Sequence, residues 1–183
     1  MSTPVQSAQA ATLSLAHSPD SDDAFMFYAL ATGKVRLPGV RFEHTLCDIE
    51  TLNNCAHREV YDVTAVSFYG YAFVADKYVL LDCGASFGEG YGPIIVSSHP
   101  LKKNDLAGRR IAIPGTRTTS YLALKLFEPN VETVTMPFDK ILDARRRVAQ
   151  LQIAAPAQFV GDIGRDVARP SFRGVEADDA DRV

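Results

Sequence analysis

The chain has 183 residues, 46% of them hydrophobic and 22% charged, with a formal net charge of -3. That length accommodates one sizeable domain or two small lobes. Slight acidity disfavours nucleic acid or an anionic membrane as main partner, because neither would be attracted electrostatically.

Cys47, Cys55 and Cys83 are scattered, with no CxxC spacing. An odd, unpatterned count suits a reduced compartment and argues against a disulfide framework or a zinc site. Met1 to Ala11 form a polar, Ala-rich lead that reads as disordered. They carry no positive charge ahead of an apolar core, so they do not read as a secretory signal. No apolar run approaches the ~20 residues that a membrane span needs. These features predict a soluble cytoplasmic protein.

Leu13 to Ala16 alternates as a short strand and breaks at His17-Ser18-Pro19-Asp20-Ser21-Asp22-Asp23. Ala24 to Leu30 follows as an almost wholly apolar helix, stopped at Gly33. Acidic residues ahead of a helix complement its dipole, so Asp20 to Asp23 read as caps. They lack the glycine and terminal glutamate of a calcium loop, and a metal site is not expected there. Val40 to Cys47 reads as a second strand, and Asp48-Ile49-Glu50-Thr51-Leu52-Asn53 opens a second helix. Tyr61 to Val66 reads as a third strand, Ser67 to Val74 as a helix with Ser67 at its entrance, and Tyr78 to Asp82 as a fourth strand.

Gly84, Gly88, Gly90 and Gly92 lie in a loop without the Gly-Lys-Ser/Thr ending of a P-loop or the spacing of a dinucleotide fingerprint. It reads as a tight or flexible loop beside a site, leading to a strand over Pro93 to Ser97. His99 to Gly108 is a polar connector.

The stretch Arg110-Ile111-Ala112-Ile113-Pro114-Gly115-Thr116-Arg117-Thr118-Thr119-Ser120-Tyr121 then reads as strand, turn and helix start. A helix start leaves several backbone N–H groups unpaired and carries partial positive charge, which makes it an anion seat. Arg117 adds a fork for a carboxylate or phosphate, and Thr118 and Thr119 add short donors. The alternative is that Thr118 or Thr119 simply caps its own helix. The two roles are compatible.

Strands alternating with helices predict an α/β fold with a largely parallel sheet, whose ligands gather at the carboxyl ends of strands. Three segments fall there: Ser18-Pro19-Asp20, Ala65-Val66-Ser67 and Gly115 to Thr119. Their convergence favours a binding site.

Pro137 to Ala144 starts another amphipathic helix, after which the composition changes. Residues 1–144 contain six Lys and six Arg, whereas residues 145–183 contain seven Arg, no Lys and a single Leu. Few large apolar residues and many charges predict poor packing of this tail. An ordinary polar C-terminal tail is one reading, but the abrupt change at Ala144/Arg145 favours a sequence read out of its native frame in a GC-rich gene.

With these residues in place, the chain resembles the 1,4-dihydroxy-6-naphthoate synthase family of the futalosine route to menaquinone. The matching pieces are His17 to Leu30, Asp48 to Asn53, Thr64-Ala65-Val66-Ser67, the loop Gly84 to Gly92, and Pro114 to Tyr121, in order between Leu13 and about Ala144. The resemblance implies an α/β, two-lobed type II periplasmic-binding-protein-like fold, truncated here within its second lobe. Residues 12–98 would form the first lobe and 99–144 the start of the second, with 145–183 a tail outside the family.

By that resemblance, members convert cyclic dehypoxanthine futalosine to 1,4-dihydroxy-6-naphthoate in a lyase-type step, with no metal or organic cofactor. The substrate is a small aromatic carboxylate. Its contacts would be Ala65, Val66 and Ser67 on one lobe and Thr118 and Thr119 on the other, with Arg117 beside them.

The family's general base is a histidine on a strand shortly after the helix that begins near Asp139. Imidazole suits proton abstraction beside a carbonyl because its pKa lies near working pH. The four histidines here are His17, His44, His57 and His99, so none lies beyond position 99. The chain is therefore expected to lack the catalytic base and to be inactive as it stands. His17 borders the carboxyl end of the first strand, but a lone histidine there is more often structural. The competing reading is a non-catalytic carboxylate-binding protein of the same fold. A two-lobed fold missing its remaining pieces is also expected to expose apolar surface and to be marginal.

Overall fold

Strand β1 (Ala11–His17) lies between β2 (Val40–Leu46) and β3 (Val63–Thr64), and all three are parallel in this computed structural model. The structure describes residues 10–87, 92–97 and 100–141, and the backbone of 152–155. Leu15 and Ala16 are buried in the C-terminal half of β1, one on each face, as alternation along a strand covered on both sides requires. Parallel strands need long crossovers. The first is α1 (Ser21–Ala31) and the second α2 (Ile49–His57).

Local chemistry sets the helix ends. The Asp48 carboxylate accepts from the Thr51 N–H and caps α2. Ser67 does the same for the short α3 (Phe68–Tyr71), accepting from Gly70 N–H. Gly33 follows α1 with φ at 66°, a left-handed angle that suits glycine at a helix C-terminus.

The second sheet has the order β4-β7-β5-β6. Its strands are β4 (Ile94–Val96), β5 (Arg110–Ile113), β6 (Glu132–Thr135) and β7 (Gln152–Ala155). β5 is parallel to both its neighbours, and β4 runs antiparallel to β7. Helix α4 (Thr119–Phe127) covers this sheet, and Leu106, Ile111, Ile113, Leu124 and Val131 form its core. Residues 138–141 are helical, as the amphipathic pattern predicts.

The elements depart from the sequence pattern in three places. Tyr78 to Asp82 is not a strand. Apolar residues favour extended backbone, but a strand also needs a ladder partner. Instead, Tyr78 is anchored by its hydroxyl to the Tyr61 carbonyl, and Val79 stands 83% exposed. The third strand is shorter than Tyr61 to Val66, pairing only over Val63–Thr64. Strand β6 has no clear local signal; Glu132-Thr133-Val134-Thr135 is polar at both ends and pairs because β5 offers it a parallel edge.

Within the tail, Gln152–Ala155 form a strand, with Ile153 in register with Val96 on one side and Ala112 on the other. The rest of the tail, the lead over residues 1–9, His99, and Gly88 and Gly90 of the loop lie outside the described residues. Among the described residues, no helix is long and apolar enough to cross a membrane.

Candidate functional site

The strand–turn–helix unit forms as the sequence predicts. Ile111, Ala112 and Ile113 are fully buried in β5, and the chain then turns through Pro114 to Thr118 into α4. Thr118 is the N-cap: its hydroxyl accepts from Tyr121 N–H at 3.3 Å and donates to the Gly115 carbonyl at 2.9 Å. It also lies 3.0 Å from the Ser120 hydroxyl. At 3% exposure, Thr118 has its polar atom committed to its own helix start. Thr119 is different. Its Oγ1 accepts from Tyr69 N–H on α3, at 3.2 Å.

Ser67 faces the same junction from the first sheet. Its hydroxyl donates to the Arg117 carbonyl at 2.9 Å, while its own N–H donates to Asn53 Oδ1 at 3.0 Å. Ala65 still belongs to the sheet, since its N–H donates to the Ala16 carbonyl at 2.9 Å, and Val66 is half-buried between them. Two of the three segments predicted to converge therefore meet, one from each sheet.

In the third segment, the hydrogen bonds of Ser18 are local. Its N–H donates to Asp23 at 2.7 Å, and its hydroxyl accepts from Asp20 N–H at 3.2 Å. Asp20 holds the N-cap position of α1 but makes no side-chain cap bond, while Asp22 and Asp23 lie in the first turn. The acidic run thus complements the helix dipole, but the expected side-chain cap from Asp20 is not made, and Asp23 reaches back to the turn instead. Burial raises the Asp20 pKa above the ordinary carboxylate value, partly offset by its hydrogen bond with Ser18.

Arg117 is held on every side. Its N–H donates to Glu50 Oε2 at 3.2 Å, and its carbonyl accepts from both Ser67 and Asn53. Its guanidinium bonds the Asn54 side chain and stands 6.0 Å from the Phe73 ring centroid. The guanidinium is thus engaged by neutral and aromatic groups of the chain itself. Sequence pattern singled out Ser67, Thr118, Thr119 and Arg117 but not Glu50, Asn53 or Asn54. A signal was available: these three polar residues share one helix face at i, i+3, i+4 spacing, beside the apolar Leu52, Cys55 and Ala56.

The histidines lie elsewhere. His17 is 5% exposed, stacked on Phe27 of α1 with ring centroids 4.4 Å apart, and its Nδ1 bonds the Ser18 carbonyl. His44 meets its edge at 5.7 Å. Among the described residues, His17 Nε2 and both nitrogens of His44 are buried without a hydrogen-bond partner. Burial, and then the neighbouring His17, lowers the His44 pKa. His57 ends α2 and is exposed. Among the described residues, no three His, Cys, Asp or Glu side chains gather into a cation cage.

Residues 13–153 match a family model described as menaquinone biosynthesis. The chain belongs to the menaquinone-biosynthesis family. Within it, the chain is 41% identical over 143 residues to a 1,4-dihydroxy-6-naphthoate synthase of Thermus thermophilus, covering 78% of this chain and 50% of that protein. A synthase of the same name from Streptomyces coelicolor is 38% identical over 142 residues, covering 74% and 49%. The chain spans about half the length of these curated relatives.

A solved structure from Archaeoglobus fulgidus superposes with a TM-score of 0.71 at 46% identity, covering 78% of this chain and 53% of that one. The alkanesulfonate-binding protein of Xanthomonas axonopodis superposes at 0.60 with 13% identity, covering 82% and 56%. The arginine-binding protein ArgBP of Thermotoga maritima, in its holo form, superposes at 0.57 with 15% identity, covering 86% and 76%. These last two carry the fold alone, and that fold is the two-lobed one of periplasmic binding proteins. The family match runs past Ala144 into β7, to residue 153.

Proposed function

We propose that this chain acts in menaquinone biosynthesis by holding an aromatic carboxylate between its lobes. The substrate is cyclic dehypoxanthine futalosine and the product 1,4-dihydroxy-6-naphthoate. Ala65, Val66 and Ser67 line the seat from the first lobe and Arg117, Thr118 and Thr119 from the second, Thr118 shaping it as the helix cap while Thr119 supplies the donor. One observation carries this reading: Ser67 and Thr119, at the entrances of α3 and α4, are drawn to one junction through the Arg117 carbonyl and the Tyr69 N–H. The Thr119 hydroxyl accepts from Tyr69 N–H and keeps its own hydrogen to donate to a carboxylate or ring oxygen, while Ser67, whose hydrogen goes to the Arg117 carbonyl, ties the two helix entrances together.

The chain as given binds but does not turn over. Expelling the sugar-derived fragment requires a base beside a carbonyl. His17 is buried against Phe27 and His44 sits on β2, both in the layer between the first sheet and α1. Strand β7 reads Gln152-Ile153-Ala154-Ala155, with no histidine.

Purified protein is mixed with cyclic dehypoxanthine futalosine and the product followed by chromatography, while calorimetry measures binding of 1,4-dihydroxy-6-naphthoate. Binding without turnover is expected. Product formation would show that another residue supplies the base, and absence of binding would remove the site. Thr119→Val should weaken the calorimetric affinity by about tenfold, for a lost hydrogen bond to a charged group, and Ser67→Ala should weaken it by loosening the Arg117 carbonyl contact that sets the junction.

A further inference from the structure

We propose that Glu50, Asn53 and Asn54 of α2 form an interlobe latch that grips Arg117 by each of its polar groups and sets the two halves of the site in register. The N–H of Arg117 goes to Glu50, the carbonyl to Asn53 and Ser67, and the guanidinium to Asn54. One helical face of the first lobe thus meets one residue of the second. Asn53 is 2% exposed, and its amide uses both ends: Oδ1 accepts from Ser67 N–H, and Nδ2 reaches the Ser67 hydroxyl and the Arg117 carbonyl.

Two glycines give this latch an independent mark. Neither Gly70 nor Gly115 has a left-handed φ, so backbone angle does not require glycine at either place. Space does. A Cβ at Gly115 would overlap Cγ, Cδ and Oε2 of Glu50, and a Cβ at Gly70 would overlap the Asn53 amide. Gly115 belongs to the second lobe and Gly70 to the first, yet both are cleared for latch side chains. The close approach is therefore built into three elements at once: α2, α3 and the turn before α4. The latch holds Ser67 and Thr119 at the spacing the site requires, because the Tyr69–Thr119 contact lies directly beside it. Its purpose rests on the carboxylate-binding reading, but its existence is tested without any ligand, so the two can fail separately.

Amide hydrogen exchange measured by NMR tests the latch. Gly115→Ala should speed exchange at Tyr69 and Arg117 by about tenfold or more, with Ala112 in β5 unchanged, since only the interlobe contact opens. Repeating Gly115→Ala in a Glu50→Ala background should abolish its effect at Tyr69, because the shortened side chain no longer carries the overlapping atoms. An equal Gly115→Ala effect at Tyr69 in both backgrounds overturns the latch. Asn54→Ala releases the guanidinium without crowding and should speed Tyr69 exchange by about three-fold or more in a folded protein. Should Gly115→Ala fail to fold, Asn54→Ala decides: unchanged Tyr69 and Arg117 protection overturns the proposal.

Discussion

Asn53→Asp is the sharpest perturbation of the junction. The substitution is nearly isosteric, keeps an oxygen to accept from Ser67 N–H, and replaces the only group that donates from this side chain. Nδ2 serves two acceptors, Ser67 Oγ at 3.0 Å and the Arg117 carbonyl at 3.2 Å. Losing two neutral hydrogen bonds costs about 2 kcal/mol, and setting a carboxylate against a buried carbonyl adds to it. For a chain of this length that corresponds to a fall in Tm of at least roughly 4–8 °C.

The loss should depend on pH. Burial beside acceptors would raise the pKa of the introduced carboxylate in the folded chain. The penalty is then fully present above that raised value and declines as pH falls towards the unfolded value, ~3.9. The assay is thermal unfolding followed by circular dichroism at pH 7.5 and pH 5, for Asn53→Asp and for the exposed control Asn104→Asp, each against the parent chain. The control should change little. A Tm change below about 2 °C for Asn53→Asp, or a penalty that grows on acidification, would refute the assigned hydrogen bonds.

Acidification should also act on the parent chain through His44. Its folded pKa is lowered by burial and by His17, so the unfolded chain takes up the proton first as pH drops below ~6.5, and stability declines through that window. His44→Leu should flatten the dependence of the urea midpoint between pH 7.5 and 5; an unaltered slope would remove His44 as the cause. Asp48→Ala deletes the α2 cap and should cost about 1 kcal/mol, or roughly 2–4 °C in Tm by calorimetry. Arg117→Ala should weaken naphthoate binding in calorimetry and also speed amide exchange at Tyr69 without ligand, because it removes the Asn54 contact along with the charge. Lost affinity with unchanged exchange would assign the whole effect to charge.

Much of the fold was legible because local signals carry it. The Asp48, Ser67 and Thr118 caps each sit where a Ser, Thr or Asp precedes a helical run, and each accepts the expected backbone N–H. Strands were readable where burial enforced them, as with Leu15 and Ile111 to Ile113. Tyr78 to Asp82 misled because propensity was strong while pairing, a non-local property, was absent. β6 escaped for the opposite reason: modest propensity with an available edge.

At the site, hydroxyls at helix entrances were visible, yet their occupancy was not. Thr118 turns inward as a cap, and Arg117 is clasped by α2 residues 63 to 67 positions away. That distinction depends on tertiary contact, which no local pattern reports.

Whether a carboxylate ligand binds where the two lobes meet is open to one direct measurement: titrating 1,4-dihydroxy-6-naphthoate into isotopically labelled protein and following backbone amide shifts. The largest, saturable changes should fall on Ser67, Tyr69, Arg117 and Thr119, with β2 residues such as Glu43 unmoved. Saturable shifts confined to other surfaces, or none at all, would contradict a ligand seat at this junction.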